Sequence, residues 1–179
     1  GDECGFAYLF ESCEPSAVND PNNIIENGDF GTCTLAPWFT SINSIVGASV
    51  NTSLVNGTCL LSDFVISNDP YNWHIQLMQP FTAEQLAKLI PGSDYTLSFE
   101  AYSLTKDRPC NVYFGLNGDP WTDLVNQVIE ISDEPETYNF DFNFPSAYSS
   151  LVLSFGLGSD ITSVFFDNIR LKRTVFDKD

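Results

Sequence analysis

The sequence predicts an all-β fold, a two-sheet antiparallel β-sandwich of the jelly-roll type with one short connecting helix. Apolar and polar residues alternate with period two in 95–101, 138–144 and 151–155, which predicts strands with one buried and one wet face. Short segments rich in turn-forming residues, such as Asn56-Gly57, separate many short strand candidates. Such spacing is typical of sandwiches and jelly rolls. The further strand candidates are 44–50, 58–66, 73–79, 110–116, 124–131 and 163–171.

The remaining segments complete the predicted organisation. Residues 1–22 have no sustained period and are rich in turn formers, so we expect an N-terminal extension or linker. The sandwich spans 23–173, and 174–179 form a C-terminal tail. The one helical segment is 82–89, where Thr82 is a suitable N-cap and Pro91-Gly92 ends the helix.

Composition limits the function classes. The chain has 179 residues, 43% of them hydrophobic, which suffices for one well-buried domain. A net charge of −17 repels phosphate backbones and anionic headgroups, so nucleic acid and membranes are disfavoured as partners. Apolar stretches are only of strand length, and the N-terminus lacks the features of a signal peptide, so we expect a mature or excised fragment.

Five cysteines occur without a CxxC motif or a histidine cluster, which argues against zinc and against a redox dithiol. Disulfides are the favoured interpretation, with Cys4–Cys13 and Cys33–Cys59 as candidate pairs and Cys110 as the odd thiol. Other pairings remain open. Disulfides would indicate an oxidising compartment, and we therefore expect a secreted or cell-surface protein.

No catalytic device stands out in the sequence. The 24 acidic residues allow many carboxylate pairs, so their presence alone does not indicate a glycosidase. His74 is the only histidine, and no Gly-x-Ser-x-Gly elbow accompanies it. We therefore expect a protein that is not an enzyme.

Aromatic and amide residues at turns and strand starts are the strongest functional signal. A sugar site needs flat aromatic rings against the apolar faces of pyranoses and amides or imidazoles for the hydroxyl rim. Trp73 and Trp121 supply the rings, whereas Trp38 is better explained as a core residue. The alternation after Trp73 puts His74 and Gln76 on one face, which we expect to be the ligand face.

At these residues the chain resembles carbohydrate-binding modules of the family 4 and family 9 type, jelly rolls often appended to secreted glycoside hydrolases. The resemblance spans about residues 23 to 173. It rests on the order of several short stretches: Ile25-Glu26-Asn27-Gly28-Asp29-Phe30 with Trp38, Val55-Asn56-Gly57-Thr58-Cys59, Asn72-Trp73-His74-Ile75-Gln76-Leu77, Pro91-Gly92 with 95–101, and Phe166-Asp167-Asn168-Ile169-Arg170-Leu171.

The resemblance implies that a sugar chain lies across the concave sheet. It implies cleft aromatics at Trp73 and Trp121, cleft amides at Gln76 and Asn117, and first-strand contacts at Phe39 and Ser41. Tyr113, on the polar side of its strand, would form part of the floor. Relatives often carry Gln or Asn where this chain has Gly156, so we expect one hydrogen bond fewer there.

The resemblance also implies a structural calcium ion with Asp167 as a ligand and oxygens near Asp29 and Thr58 completing the site. Gly31 departs from members that carry Glu there, and hard cations take several oxygen ligands.

The expected function is a non-catalytic module that binds a β-linked polysaccharide, namely a β-1,3- or mixed-linkage glucan, amorphous cellulose or xylan. It would be monomeric and would target an attached enzyme to this polymer. The alternatives are a jelly-roll polysaccharide lyase or hydrolase and an adhesive or structural interaction domain.

Overall fold

The protein is a sandwich of two five-stranded sheets, in a computed structural model that describes residues 20–105 and 107–174. The strands are β1 Phe39–Ile42, β2 Ser49–Val55, β3 Thr58–Val65, β4 Ile75–Pro80, β5 Asp94–Ser103, β6 Arg108–Gly115, β7 Asp123–Ile131, β8 Glu136–Asn143, β9 Val152–Gly156 and β10 Val164–Arg173. Sheet 1 has the order β1-β4-β9-β6-β7, and sheet 2 has the order β2-β3-β10-β5-β8. Neighbouring strands are antiparallel, and the predicted β-sandwich of jelly-roll type is confirmed.

Period-two alternation builds the core between the sheets. In β5 every second side chain is buried, and these side chains face those of sheet 1. At the centre, Phe155 of sheet 1 contacts Phe99 and Phe166 of sheet 2, with ring centroids 4.9 and 4.7 Å away. Aromatic pairs at these distances add to the stability from burial alone.

One short helix, α1 Ala83–Lys88, connects β4 to β5. The side chain of Thr82 accepts a hydrogen bond from the backbone N–H of Gln85, and the side chain of Gln85 accepts one from the N–H of Thr82. This reciprocal capping box satisfies two backbone donors that the helix leaves free. The predicted helix and its N-cap are confirmed.

Two strand predictions need correction. Residues 44–46 form a 3-10 turn that Gly47 closes with a φ of 80°, and β2 starts only at Ser49. Ile45 is 95% exposed, so its apolar character does not reflect burial. The wet face expected for 151–155 is also wrong, because all five residues of β9 are buried. This strand lies at the centre of sheet 1, where the side chain of Asn72 lies over Gly156 and that of Gln76 accepts a hydrogen bond from Ser154.

Cys59 and Cys110 are buried free thiols. The predicted Cys33–Cys59 pair is therefore wrong. Cys59 lies in β3, and its side chain is buried in the core. Cys110 is free as predicted. The Cys4–Cys13 pair lies outside the described residues.

Arg108, the first residue of β6, is completely buried. Its guanidinium donates hydrogen bonds to backbone carbonyls and lies 4.6 Å from the ring centroid of Phe64. The four acceptors are the carbonyls of Pro109, Leu157, Asp160 and Thr162. These bonds attach the β9–β10 loop to the sandwich.

Within 20–105 and 107–174, no helix has the length and apolar character needed to cross a membrane.

Candidate functional site

The outer face of sheet 1 carries two adjacent rows of uncharged side chains. Strand register puts directly opposed residues on the same face of a sheet. The first row runs through Ser41, Gln76, Gly156, Asn111 and Val128. The second row runs two residues further along, through Phe39, Met78, Ser154, Tyr113 and Asn126. Together these rows form a surface that we call the floor.

Hydrogen bonds fix the amide of Gln76 on this floor. Its Oε1 accepts a bond from the hydroxyl of Ser154 at 2.7 Å, and its Nε2 donates to the backbone carbonyl of Trp73 at 3.1 Å. One amide proton and one lone pair stay free in this arrangement. Gln76 can therefore exchange hydrogen bonds with a ligand hydroxyl without reorganising.

Tyr71 and Trp73 form the first aromatic pair at one end of the floor. They belong to the turn that leads into β4, where residues Asn72–His74 make one 3-10 turn. Their rings stack with centroids 6.0 Å apart, and Trp73 is 52% exposed. The ring of Trp73 is therefore available for stacking against a sugar, and its contact with a ligand stays a prediction.

His74 is buried, and its predicted position on the exposed face is wrong. Its Nδ1 lies 3.3 Å from the hydroxyl of Ser67 and 3.4 Å from the backbone nitrogen of Tyr71. Its ring packs edge-on against that of Trp73, with centroids 4.4 Å apart. The 3-10 turn interrupts the alternation at this residue, so the side chain of His74 points inward. There it packs beneath the rings of the first aromatic pair.

Tyr113 and Trp121 form the second aromatic pair. Trp121 follows the turn after β6 and is 53% exposed, as predicted from its polar surroundings. Its ring lies edge-on to that of Tyr113, with centroids 6.2 Å apart. The hydroxyl of Tyr113 donates to the carbonyl of Leu116 at 2.8 Å and would lie 2.9 Å from a β-carbon on Gly115, so the ring is held along the strand over Gly115. Asn117 lies in the same turn and is exposed.

The two aromatic pairs lie at diagonally opposite ends of the floor. Strands β4 and β6 both run antiparallel to β9 and are therefore parallel to each other. Trp73 precedes the first residue of β4, whereas Trp121 follows the last residue of β6. The rise per residue and the strand spacing give a separation of roughly 20 Å, which corresponds to several sugar units rather than one.

The structure brings most predicted binding residues to one surface. Phe39 and Ser41 of β1 are on the floor beside Met78 and Gln76. Trp38, by contrast, is 2% exposed and donates from Nε1 to the carbonyl of Asn27, which confirms it as a core residue. The contacts of these residues with a ligand stay predictions.

The predicted binding residues leave out several residues of this surface, among them Tyr71, Asn72 and Asn111. Asn111 has the same parity as Tyr113 in β6, so the alternation could have identified it. Tyr71 and Asn72 lie in a turn, where no period indicates the direction of a side chain. Their positions depend on contacts with β9, about 80 residues away in the sequence.

Of the predicted calcium ligands, Asp167 and Thr58 lie on the outer face of sheet 2, in β10 and β3, and Asp29 lies in the turns that precede β1. Asp167 sits just before a register shift between β10 and β5. Partial burial raises its pKa to about 6, with further increases from the charges of Glu100 and Asp29. The backbone N–H of Asn168, which donates to Oδ1 of Asp167 at 2.8 Å, and the nearby side chain of Thr58 oppose the shift. In the described part of the chain, no three His, Cys, Asp or Glu side chains group closely enough to hold a metal ion. A cation here would thus depend on hydroxyl and backbone oxygens as well.

A family model described as a carbohydrate binding domain matches residues 22–162 of this chain. A solved CBM4 structure is 28% identical, with a TM-score of 0.70 over 84% of this chain and 99% of the other. A search of curated protein sequences found no match.

Two cellulose-binding domains of β-1,4-glucanase C from Cellulomonas fimi have a similar fold. The second N-terminal domain is 17% identical, with a TM-score of 0.64 over 90% of this chain and 100% of that domain. The first N-terminal domain is also 17% identical, with a TM-score of 0.59 over 88% of this chain and 99% of that domain. At these identities the likeness shows the fold.

Proposed function

The chain belongs to the carbohydrate-binding domain family, and we propose that it holds a β-linked polysaccharide chain on the outer face of sheet 1. Membership of this family makes it a non-catalytic binder of polysaccharide. The proposal concerns where the polymer binds and which polymer it is.

The pairing of an uncharged floor with two exposed aromatic pairs carries the proposal. A pyranose presents apolar C–H faces to aromatic rings and hydroxyls to amides, and the floor offers both kinds of partner. Its two rows contain no charged side chain, although the chain has a net charge of −17. A neutral polymer meets no desolvated charge on this surface, whereas a polyuronate would be repelled by the protein as a whole.

The roughly 20 Å between the aromatic pairs favours an extended chain over a single sugar. We propose a β-1,3- or mixed-linkage glucan as the polymer, with amorphous cellulose and xylan as the next choices. The similar Cellulomonas fimi domains are described as cellulose-binding, which supports a β-linked glucan among neutral polymers.

The biological setting is part of the proposal. A monomeric module that is secreted and tethered to a catalytic domain would raise the local concentration of that enzyme on the polymer. Family membership supports this role.

Calcium is proposed as a structural ion near Asp167. The carboxylate of Asp167 and the side chain of Thr58 line the same pocket, and Asp29 and Glu100 are near enough to raise the pKa of Asp167. Oxygen donors of this kind are those that calcium prefers. When bound, the ion would neutralise these carboxylates on the sheet opposite the floor, so it would stabilise the fold.

Affinity electrophoresis through gels that contain laminarin, barley mixed-linkage β-glucan, xylan or polygalacturonate tests the proposal. We expect retardation by one or more of the three neutral polymers and none by polygalacturonate. Trp73→Ala and Trp121→Ala should each reduce the retardation. Equal retardation of wild type and both variants would refute the assignment of the floor, and sustained release of reducing ends would contradict a non-catalytic role.

A further inference from the structure

The side chain of Asn72 occupies the middle of the floor, above Gly156 of β9. Gly156 lies in the first row between Gln76 and Asn111. A β-carbon placed on Gly156 would point away from the core and would lie 2.7 Å from Oδ1 and 3.2 Å from Cβ of Asn72. Gly156 therefore creates the space that the Asn72 amide fills.

The turn that carries Asn72 is attached firmly to the end of β9. The backbone N–H of Gly158 donates to the carbonyl of Asn72 at 2.9 Å, and that of Leu157 donates to Ile75 at 2.8 Å. A β-carbon on Gly158 would lie 2.5 Å from the carbonyl oxygen of Tyr71 and 3.0 Å from Cβ of His74. The two glycines thus let the 3-10 turn rest on β9, and the position of Asn72 is set before any ligand arrives.

The Asn72 amide has free hydrogen-bonding capacity. Among the described residues, its side chain makes no hydrogen bond, and no buried side-chain nitrogen or oxygen lacks a partner. The amide must therefore reach solvent. An amide offers two donor protons and an acceptor oxygen. This one lies over Gly156, the strand partner of Gln76, and its residue directly precedes Trp73, whose ring is exposed.

We propose that Asn72 is a ligand-contacting, specificity-determining residue of the floor, and that Gly156 serves to admit its amide. This inference rests on the proposed function of the same surface. It also revises the expectation of a missing hydrogen bond at Gly156, because the neighbouring turn supplies an amide at that place. The amide would bind sugar hydroxyls while the ring of Trp73 covers the adjacent sugar face.

A double-mutant cycle on the full chain tests this inference. The variants are Asn72→Ala, Gly156→Ala and the double variant, measured by calorimetric titration with whichever of laminarin, mixed-linkage β-glucan or xylan wild type binds most tightly. Asn72→Ala should bind the polymer with about tenfold lower affinity, because it loses one or two neutral hydrogen bonds. Gly156→Ala should give a similar loss, because the new methyl displaces the amide; the φ of Gly156 is not positive, so the backbone tolerates alanine.

The double variant should bind no more weakly than either single variant, because both changes remove the same contact. Asn139→Ala, an exposed amide on the outer face of sheet 2, should bind like wild type. Unchanged affinity of Asn72→Ala, or losses that add in the double variant, would overturn the inference while the proposed function stands. If wild type binds none of the polymers, the inference and the proposed function are both refuted. If Gly156→Ala does not fold, Asn72→Ala decides alone.

Discussion

Replacement of Trp73 by alanine removes the larger ring of the first aromatic pair. The side chain is 52% exposed, and an aromatic side chain of this size offers about 150–250 Å² of burial in total. A sugar stacked on one face would cover roughly half of the exposed part, or about 60 Å². At about 25 cal/mol per Å² of apolar surface this amounts to ~1.5 kcal/mol, which corresponds to about a tenfold weaker affinity.

Titration calorimetry of wild type, Trp73→Ala and Trp73→Phe against the preferred soluble polymer measures this loss. The phenylalanine variant keeps a flat ring and should recover part of the affinity. The thermal unfolding midpoint should change little, since more than half of the tryptophan surface is already in water. Leu104→Ala, a change at a 63% exposed residue after the last strand residue of β5, is the control and should bind normally. An alanine variant that binds like wild type would refute the stacking role of Trp73.

Three further predictions concern stability and reactivity. Arg108→Met should lower the free energy of unfolding, measured in urea, by about 3–5 kcal/mol, because four backbone carbonyls lose their donor. A loss no larger than that of the exposed Arg173→Met would contradict this. Asp167 binds its proton more tightly in the folded state, since its pKa is raised from 3.8 to about 6. The resulting stabilisation is present below about pH 4 and is lost as the pH rises through 6. When the pH is lowered from 7.5 to 5 in the presence of a chelator, the thermal unfolding midpoint of wild type should therefore rise more than that of Asp167→Asn. Added calcium at pH 7.5 should raise the midpoint of wild type alone. Equal responses of the two proteins to pH would contradict the first statement, and equal responses to calcium would contradict the second. Burial raises the pKa of the Cys59 and Cys110 thiols to about 12, so both should resist a thiol reagent until the protein unfolds, and rapid labelling of either thiol in the native state would be inconsistent with this.

Alternation in the sequence predicted most of the fold. It identified β5 and β8 within a few residues because each has one face in the core and one in water. It also located β9, although both faces of that strand are buried. It failed at 44–46, where Ile45 and Val46 are apolar but exposed in a turn. A period-two alternation indicates burial only within a regular strand, and residues 44–46 form a turn that Gly47 closes.

The site was only partly predictable for a related reason. Trp121 was expected to be exposed because a polar turn precedes it, and it is. His74 was expected on the surface, yet a 3-10 turn directs it inward beneath Trp73. The position of Asn72 depends on Gly156 and Gly158, and a single sequence does not reveal which glycine meets which distant turn.

The most direct test of a polysaccharide site on sheet 1 is a calorimetric titration of wild type and the Trp73→Ala/Trp121→Ala double variant with laminarin, mixed-linkage β-glucan and xylan. We predict saturable binding of at least one polymer by wild type. The double variant should show a loss of affinity of at least about a hundredfold, since the two pairs lie roughly 20 Å apart and should act independently. Equal binding of wild type and a folded double variant, or no binding of any of the three polymers by wild type, would contradict the account.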